Sequence, residues 1–159
     1  MKSLPLVLLF LIFAPGASAA DSATAGPPYF VSMKGEKTFM REGPGEDHRV
    51  KWVYHRKGLP VEVIASFDAW RRVRDMDGEV GWIHTVLLSR ERTAIVKQGS
   101  EAEVFGRADP KSAMVAEAMP GAIGRLVHCA ALACEVKFDG VEGWVSRTRL
   151  WGVHDGEQF

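Results

Sequence analysis

The chain has 159 residues, of which 47% are hydrophobic and 25% charged, and its 20 basic side chains balance its 20 acidic ones. This composition is that of an ordinary globular protein and excludes the disordered, collagen-like and coiled-coil classes. The zero net charge argues against a dedicated nucleic-acid binder, since affinity for phosphates depends on an excess of Lys and Arg. The length allows one or two small domains.

Residues 1–20 have the pattern of a secretory signal peptide. Lys2 supplies the positive start, an apolar run covers 4–13, and cleavage fits after either Ala19 or Ala20. The run is about ten residues long, well below the roughly 20 that span a bilayer, so we expect no permanent membrane insertion. We therefore expect an exported protein, periplasmic or secreted.

Residues 21–28 are small and polar and end in Gly-Pro-Pro, which indicates a flexible lead-in. The remaining chain carries short β-branched or aromatic segments separated by turn residues. In its first half the pattern predicts strands at 61–67, 70–74 and 81–84. Strands recurring every eight to twelve residues, without a long helical period, indicate a small barrel or sandwich.

Three blocks of the first half recur in the second half in the same order. The offset between matching blocks falls from 66 to 63 to 62 along the chain, as small loop deletions in a duplicated unit would produce. The repeat predicts two domains, 29–92 and 93–159. The matched blocks are 39–44 with 105–110, 58–64 with 121–127, and 77–83 with 139–145.

The first unit also carries a known pattern, formed by Phe39-Met40-Arg41-Glu42-Gly43-Pro44-Gly45, Gly58, Trp70-Arg71-Arg72-Val73 and 77–84. It resembles the bacterial SH3 domain. The second unit resembles it less, but keeps Gly143-Trp144-Val145. The resemblance implies an all-β fold class, two tandem SH3-like small β-barrels, which usually act as targeting or interaction modules at the cell envelope.

The repeated Gly-Trp pair has a physical explanation in a small domain. A domain of about sixty residues buries only about 60% of its unfolded surface, and one Trp removes up to about 250 Å² from water. We therefore expect Trp82 and Trp144, preceded by Gly81 and Gly143, to form the structural core of the two barrels.

Cys129 and Cys134 are the only cysteines and lie five positions apart. If the segments around them are antiparallel neighbours, the two residues are within reach of a disulfide, which persists in an exported protein. The alternatives are a redox pair, which usually has the spacing Cys-x-x-Cys, or half of a metal site, for which further ligands are absent. We predict a structural disulfide.

The candidate ligand site lies in the first unit. Trp70 falls at the position of the groove tryptophan of eukaryotic SH3 domains, but His84 and Leu87 replace the Pro and Tyr of that groove. Recognition of polyproline is therefore in doubt. A groove of Trp70, His84 and Tyr54, with Arg72 beside it, is expected to contact a sugar ring or a peptide. The alternative for Trp70 is a partly buried strand residue at the barrel edge.

The second unit lacks this groove. It has Leu132 or Ala133 at the position of Trp70, and Ser146 at that of His84. After its last predicted strand, Trp151 is expected to close the second barrel or the seam between the barrels.

No residues have catalytic spacing: the histidines are scattered, and neither a Gly-x-Ser-x-Gly elbow nor a phosphate-binding loop occurs. We expect no enzyme activity, cofactor or metal. The favoured function is a non-catalytic binding module of the cell envelope, which recognises peptidoglycan or a peptide ligand mainly through the first barrel. The alternative is a periplasmic protein–protein adaptor or assembly factor with no cell-wall affinity.

Overall fold

The computed structural model describes residues 26, 28–99 and 101–159. The predicted signal peptide and most of the lead-in lie outside the described residues. Within them the chain is all-β, apart from two single-turn 3₁₀ helices at Thr85–Leu87 and Arg147–Arg149, which confirms the predicted class. No helix of the described part is long and apolar enough to cross a membrane.

The first half forms one antiparallel sheet of seven strands. They are β1 (Tyr29–Met33), β2 (Thr38–Arg41), β3 (Val50–Tyr54), β4 (Pro60–Phe67), β5 (Trp70–Arg74), β6 (Val80–His84) and β7 (Leu88–Ser89). Their order across the sheet is β3-β2-β6-β5-β4-β1-β7. The three strands predicted from the sequence are β4, β5 and β6.

The second half repeats this arrangement. Its strands are β8 (Thr93–Val96), β9 (Ala102–Phe105), β10 (Met114–Ala118), β11 (Ile123–Cys129), β12 (Ala133–Lys137), β13 (Glu142–Ser146) and β14 (Leu150–Trp151). Their order, β10-β9-β13-β12-β11-β8-β14, is that of the first sheet strand for strand. The described residues therefore form two copies of one fold.

Each sheet curls around a core of its own. The first core contains Met33, Met40 and Ile83 among its buried side chains, and the second contains Val96, Val104 and Val145. The two cores are separate clusters. The hydrogen-bonded ladder of each sheet ends at its edge strands, so neither sheet is a closed barrel in the described residues. The predicted fold class, all-β with two tandem SH3-like units, is confirmed, and each unit is a curled open sheet.

The expectation that Trp82 and Trp144 fill the cores is also wrong. Side chains alternate between the two faces of a strand. In β6, Gly81 and Ile83 are buried on the inner face, so Trp82 lies half-buried on the outer face. The same alternation in β13 gives the inner position to Val145 and leaves Trp144 outside, where its ring contacts His128. Smaller side chains form the cores instead: mostly Val, together with Met and Ile in the first core and with Ala, Leu and Cys in the second.

The glycine of each Gly-Trp pair is required by a close approach of two strands. A Cβ on Gly81 would lie 2.5 Å from Cγ of Met40 and 2.8 Å from the carbonyl oxygen of Arg41 in β2. A Cβ on Gly143 would lie 2.7 Å from the carbonyl oxygen of Phe105 in β9. Since real Cβ atoms do not approach backbone so closely, any other residue would push the strands apart.

We expect Gly143→Ala to destabilise the protein by about 1–3 kcal/mol, because the added methyl group overlaps the backbone of β9. Urea unfolding followed by tryptophan fluorescence measures this. Gly35→Ala is the matched control, since the nearest atom to its added Cβ is 3.9 Å away. Equal stability of the two variants would contradict the proposed role of Gly143 in the close approach of β13 to β9.

Strand pairing corrects one block of the repeat. In the first sheet Arg41 pairs with Trp82, whereas in the second Phe105 pairs with Trp144. Phe105 is therefore the counterpart of Arg41 and not of Phe39. The predicted match of 39–44 with 105–110 is therefore shifted by two residues. It was based on identical residue types, Phe, Arg and Pro, and not on which side chains of β2 and β9 point inward.

Cys129 and Cys134 face each other across the hairpin of β11 and β12. They are register partners with Cα atoms 4.1 Å apart, their side chains are fully buried, and their sulfur atoms are at bonding distance. The turn is closed by a hydrogen bond from the N–H of Ala130 to the carbonyl of Ala133 at 2.9 Å. The geometry supports the predicted disulfide.

In unreduced protein denatured in urea, iodoacetamide should label neither Cys129 nor Cys134, and prior reduction should make both reactive. Removing the cross-link with Cys129→Ala and Cys134→Ala should cost about 2 kcal/mol on the chain-entropy estimate for a short loop. Mass spectrometry and urea unfolding give the two readouts. Labelling of both residues without reductant would disprove the bond.

The two sheets meet along a seam. Phe30 of β1 is buried, and its ring contacts Trp151 of β14 edge to face at 5.0 Å and His154 at 4.6 Å. Beside them, Oγ1 of Thr93 donates a hydrogen bond to the carbonyl of Gly58 at 2.7 Å. Of the two places expected for Trp151, the structure gives it the seam between the units.

Glu157 attaches the C-terminal residues to this seam. Nη1 and Nη2 of Arg92 donate to its two carboxylate oxygens at 2.5 and 3.1 Å, and the backbone N–H of His154 donates to Oε2 at 3.0 Å. Burial alone would raise the pKa of Glu157, but the hydrogen bonds from Arg92 and His154 outweigh burial and lower that pKa. The seam therefore holds a charged carboxylate.

Glu157→Gln should reduce the free energy of unfolding at neutral pH by about 1.5–3 kcal/mol, the range for a hydrogen bond to a charged group. Because the folded-state pKa is lowered, this contribution is present above the ordinary glutamate pKa, about 4.3. It is lost as the pH falls through the lowered value. Urea unfolding between pH 7 and pH 3 should show the variant and wild type converging, with the exposed Glu103→Gln as control.

Candidate functional site

A cavity of about 310 Å³ opens on the outer face of the first sheet. It lies where β5, β6 and β2 are neighbours, next to the 3₁₀ turn that follows β6. Most of its walls are aromatic or aliphatic, with one cation and one carboxylate among them. The lining residues are Phe39, Arg41, Glu46, Trp70, His84, Val86 and Leu87.

Trp70 and His84 form one wall of the cavity. They are direct partners in the pairing of β5 with β6, and their rings meet edge to face with centroids 5.1 Å apart. The N–H of Thr85 donates to the carbonyl of Ala69 at 2.9 Å, which continues the pairing past the strand end. Trp70 is only 9% exposed. It therefore offers little open ring surface to the cavity.

His84 also shapes the rim of the cavity. Its Nδ1 accepts a hydrogen bond from the backbone N–H of Val86 at 3.2 Å and thereby caps the 3₁₀ turn. A neutral imidazole that accepts at Nδ1 carries its proton on Nε2. The turn presents Val86 to solvent, 62% exposed, at the mouth of the cavity. A single side chain thus lines the wall and positions an apolar rim residue.

The cavity is the centre of a longer row of side chains on the outer face, four aromatic rings and one valine. Phe67 is the partner of Trp70 on one side, and on the other Phe39 is the partner of Val53. The register that pairs Arg41 with Trp82 puts Phe39 next to His84. We call this the aromatic row; in order across five strands it consists of Phe67, Trp70, His84, Phe39 and Val53.

Of the four predicted contact residues, the structure brings Trp70 and His84 together in the cavity. Tyr54 is not there. It lies on the inner side, packed against the first core, where its hydroxyl donates to Oδ2 of Asp75 at 2.7 Å. Burial raises the pKa of Tyr54, and the hydrogen bond to Asp75 adds to this effect. Tyr54 therefore secures the fold, and its prediction as a ligand contact is wrong.

Asp75 explains why Tyr54 is held inside. This buried carboxylate also accepts the backbone N–H groups of Asp77 and Glu79 at 3.0 and 2.8 Å through Oδ1. The two bonds fix the turn between β5 and β6. Arg72, the fourth predicted residue, is exposed and lies outside the cavity, as the partner of Trp82.

Sequence reasoning missed Phe39, Arg41, Glu46 and Val86 as lining residues. A signal existed for the first two, because Phe39 and Arg41 alternate with Met40, and one of the two sets had to face outward. Glu46 and Val86 lie in a loop and a 3₁₀ turn, where no periodicity indicates the direction of a side chain.

The second sheet has a cavity of about 440 Å³ at the equivalent place, but its chemistry differs. Ala133 pairs with Ser146 as Trp70 pairs with His84, which makes Ala133 the counterpart of Trp70. Leu132, the other candidate, is 83% exposed. The lining residues of this second cavity are Glu101, Glu103, Phe105, Glu117, Ser146 and Arg149. The aromatic row is therefore confined to the first sheet.

The described residues contain no group of three or more His, Cys, Asp or Glu arranged to hold a metal ion.

A comparison with protein families agrees with two repeated units. Residues 34–90 and 98–152 each match the family described as Bacterial SH3 domain. Two solved structures from Trichomonas vaginalis, of NlpC1 and NlpC2, are 12% and 11% identical to the chain, both with a TM-score of 0.36. They cover 81% and 80% of this chain, which spans only 47% and 49% of theirs. The comparison with curated proteins found no match.

Proposed function

This chain belongs to the bacterial SH3 domain family, with two tandem copies, and on that premise we propose that it is a non-catalytic binding module of the cell envelope. Bacterial SH3 domains are binding modules that are often associated with the cell wall. The proposed ligand is peptidoglycan or an exposed peptide, and the proposed binding surface is the aromatic row with its cavity.

The observation that carries the proposal is the difference between two otherwise equivalent sheets. The strand order is the same, and both sheets have a cavity at the same place. Only the first surrounds it with Trp70, Phe39 and the exposed Val86. Exposed apolar side chains around a concave site are typical of a ligand-binding surface.

The shape of the cavity favours a side chain over a stacked sugar. A sugar ring packs against an open aromatic face, and Trp70 is almost fully covered by its neighbours. An aliphatic side chain can instead enter between Trp70, Leu87 and Val86. We therefore favour the peptide part of the cell wall, or another peptide, as the bound group.

The proposal includes export. Its support is the sequence of residues 1–20, with Lys2, an apolar run and the small residues before Ala20. A disulfide between Cys129 and Cys134 is consistent with an oxidising compartment.

Purified protein lacking the signal peptide should sediment with isolated cell wall, and Val86→Asp should reduce the bound fraction severalfold. Val86 is exposed, so this change places a charge at the cavity mouth with little effect on stability. Trp70→Ala should act in the same direction. Trp52→Ala is the control, because Trp52 is an exposed tryptophan outside the cavity.

Binding that both cavity variants leave unchanged would contradict the proposed site. Absence of wall binding in the wild type would favour the adaptor function. The observation that supports this alternative is a group of exposed apolar residues around β10, Met114, Val115 and Met119. Affinity capture from envelope extracts then identifies the partner. Strong wall binding without any captured protein would exclude the adaptor.

A further inference from the structure

A second row of side chains runs beside the aromatic row on the outer face. Trp82 has Arg72 of β5 as its partner on one side and Arg41 of β2 on the other. Neighbouring strands are about 4.8 Å apart, so the backbones of the two arginines are separated by about 10 Å. We call these three residues the arginine row.

Arg72 is available for a ligand. It is exposed and makes no hydrogen bond or ion pair with the described residues. Its neighbours on β5 are engaged: Arg74 donates to Glu62, and Arg71 donates to the carbonyls of Asp68 and Trp70. An unpaired guanidinium next to an apolar site is well suited to a carboxylate.

Arg41 provides a second positive charge. Its Nη1 donates to the carbonyl of His48 at 2.7 Å, and it forms no ion pair within the described part of the chain. Because Glu46 lines the same cavity, the charges of the cavity itself balance. The excess positive charge therefore comes from Arg72, outside the cavity and next to it.

The second sheet lacks this feature. Around Trp144, the position of Arg72 is taken by Glu135 and that of Arg41 by Phe105. The first sheet therefore carries both the aromatic row and the arginine row, and the second sheet carries neither.

The distance between the rows matches the repeat of an extended peptide. Trp70 and Arg72 are two positions apart on β5, a separation of about 6.8 Å. Side chains two positions apart on an extended peptide have the same spacing and point to the same side. A peptide lying along β5 can therefore place one side chain in the cavity and the next but one at Arg72.

We infer that the first sheet binds an extended acidic peptide segment in which an apolar residue is separated by one position from Asp or Glu. The inference rests on the proposed function and specifies the ligand of that site. The apolar side chain enters the cavity, and the carboxylate pairs with Arg72, assisted by Arg41.

Three fluorescein-labelled hexapeptides test this inference by fluorescence anisotropy at low salt. They are identical except that Glu, Gln or Lys stands two positions after a single Leu. We expect the Glu peptide to bind at least about threefold more tightly than the Lys peptide, the scale of an exposed ion pair. Higher salt should reduce the difference.

Arg72→Glu should reverse the preference between the Glu and Lys peptides. Arg90→Glu is the matched control, because it makes the same charge change at an exposed arginine outside both rows and should keep the wild-type preference. Both substitutions are on the surface, so both variants should fold, which circular dichroism checks.

Equal affinity for the three peptides, or an identical effect of Arg72→Glu and Arg90→Glu, would overturn the inference and leave the proposed function intact. So would a lack of binding to every peptide while wall sedimentation remains sensitive to Val86→Asp. Loss of both peptide binding and wall binding in the wild type would instead remove the proposed function together with the inference.

Discussion

The close approach of β6 to β2 is the constraint on which the rest of each sheet depends. With no Cβ on Gly81, the backbone of β6 can lie against Met40 and the carbonyl of Arg41. This approach fixes the register in which Arg41 faces Trp82. The same register sets His84 beside Phe39, where the cavity forms. A steric requirement of the core thus determines which side chains meet on the opposite face.

The duplicated sheet separates what the fold requires from what the site requires. Gly143 makes the same close approach in the second half, and the strand order is unchanged. The outer positions are free to differ because they do not contribute to the core. At these positions Trp70 and His84 of the first sheet have Ala133 and Ser146 as counterparts. One scaffold therefore carries an aromatic surface in one copy and a small, acidic one in the other.

Local patterns predicted three central strands of the first sheet, β4, β5 and β6, but they did not predict which face of a strand lies inside. The hairpins at Asp77-Gly78 and between Cys129 and Cys134 were predictable because turn residues and short spacing leave few alternatives. Alternation along β6 shows that Gly81 and Ile83 share a face, but it does not tell which face is inside. The large volume of Trp82 favoured the wrong answer. Tyr54 was misplaced for a related reason, since its partner Asp75 lies far away in the sequence.

The seam also affects how this protein can be divided for study. Phe30 belongs to the first half, yet the rings that cover it, Trp151 and His154, belong to the end of the second. A fragment that stops after β7 would leave a phenylalanine uncovered at its surface. Such a fragment would be prone to self-association, and any affinity measured with it would include non-specific association through the exposed ring. The intact pair of sheets is therefore the smallest unit whose surface is the native one.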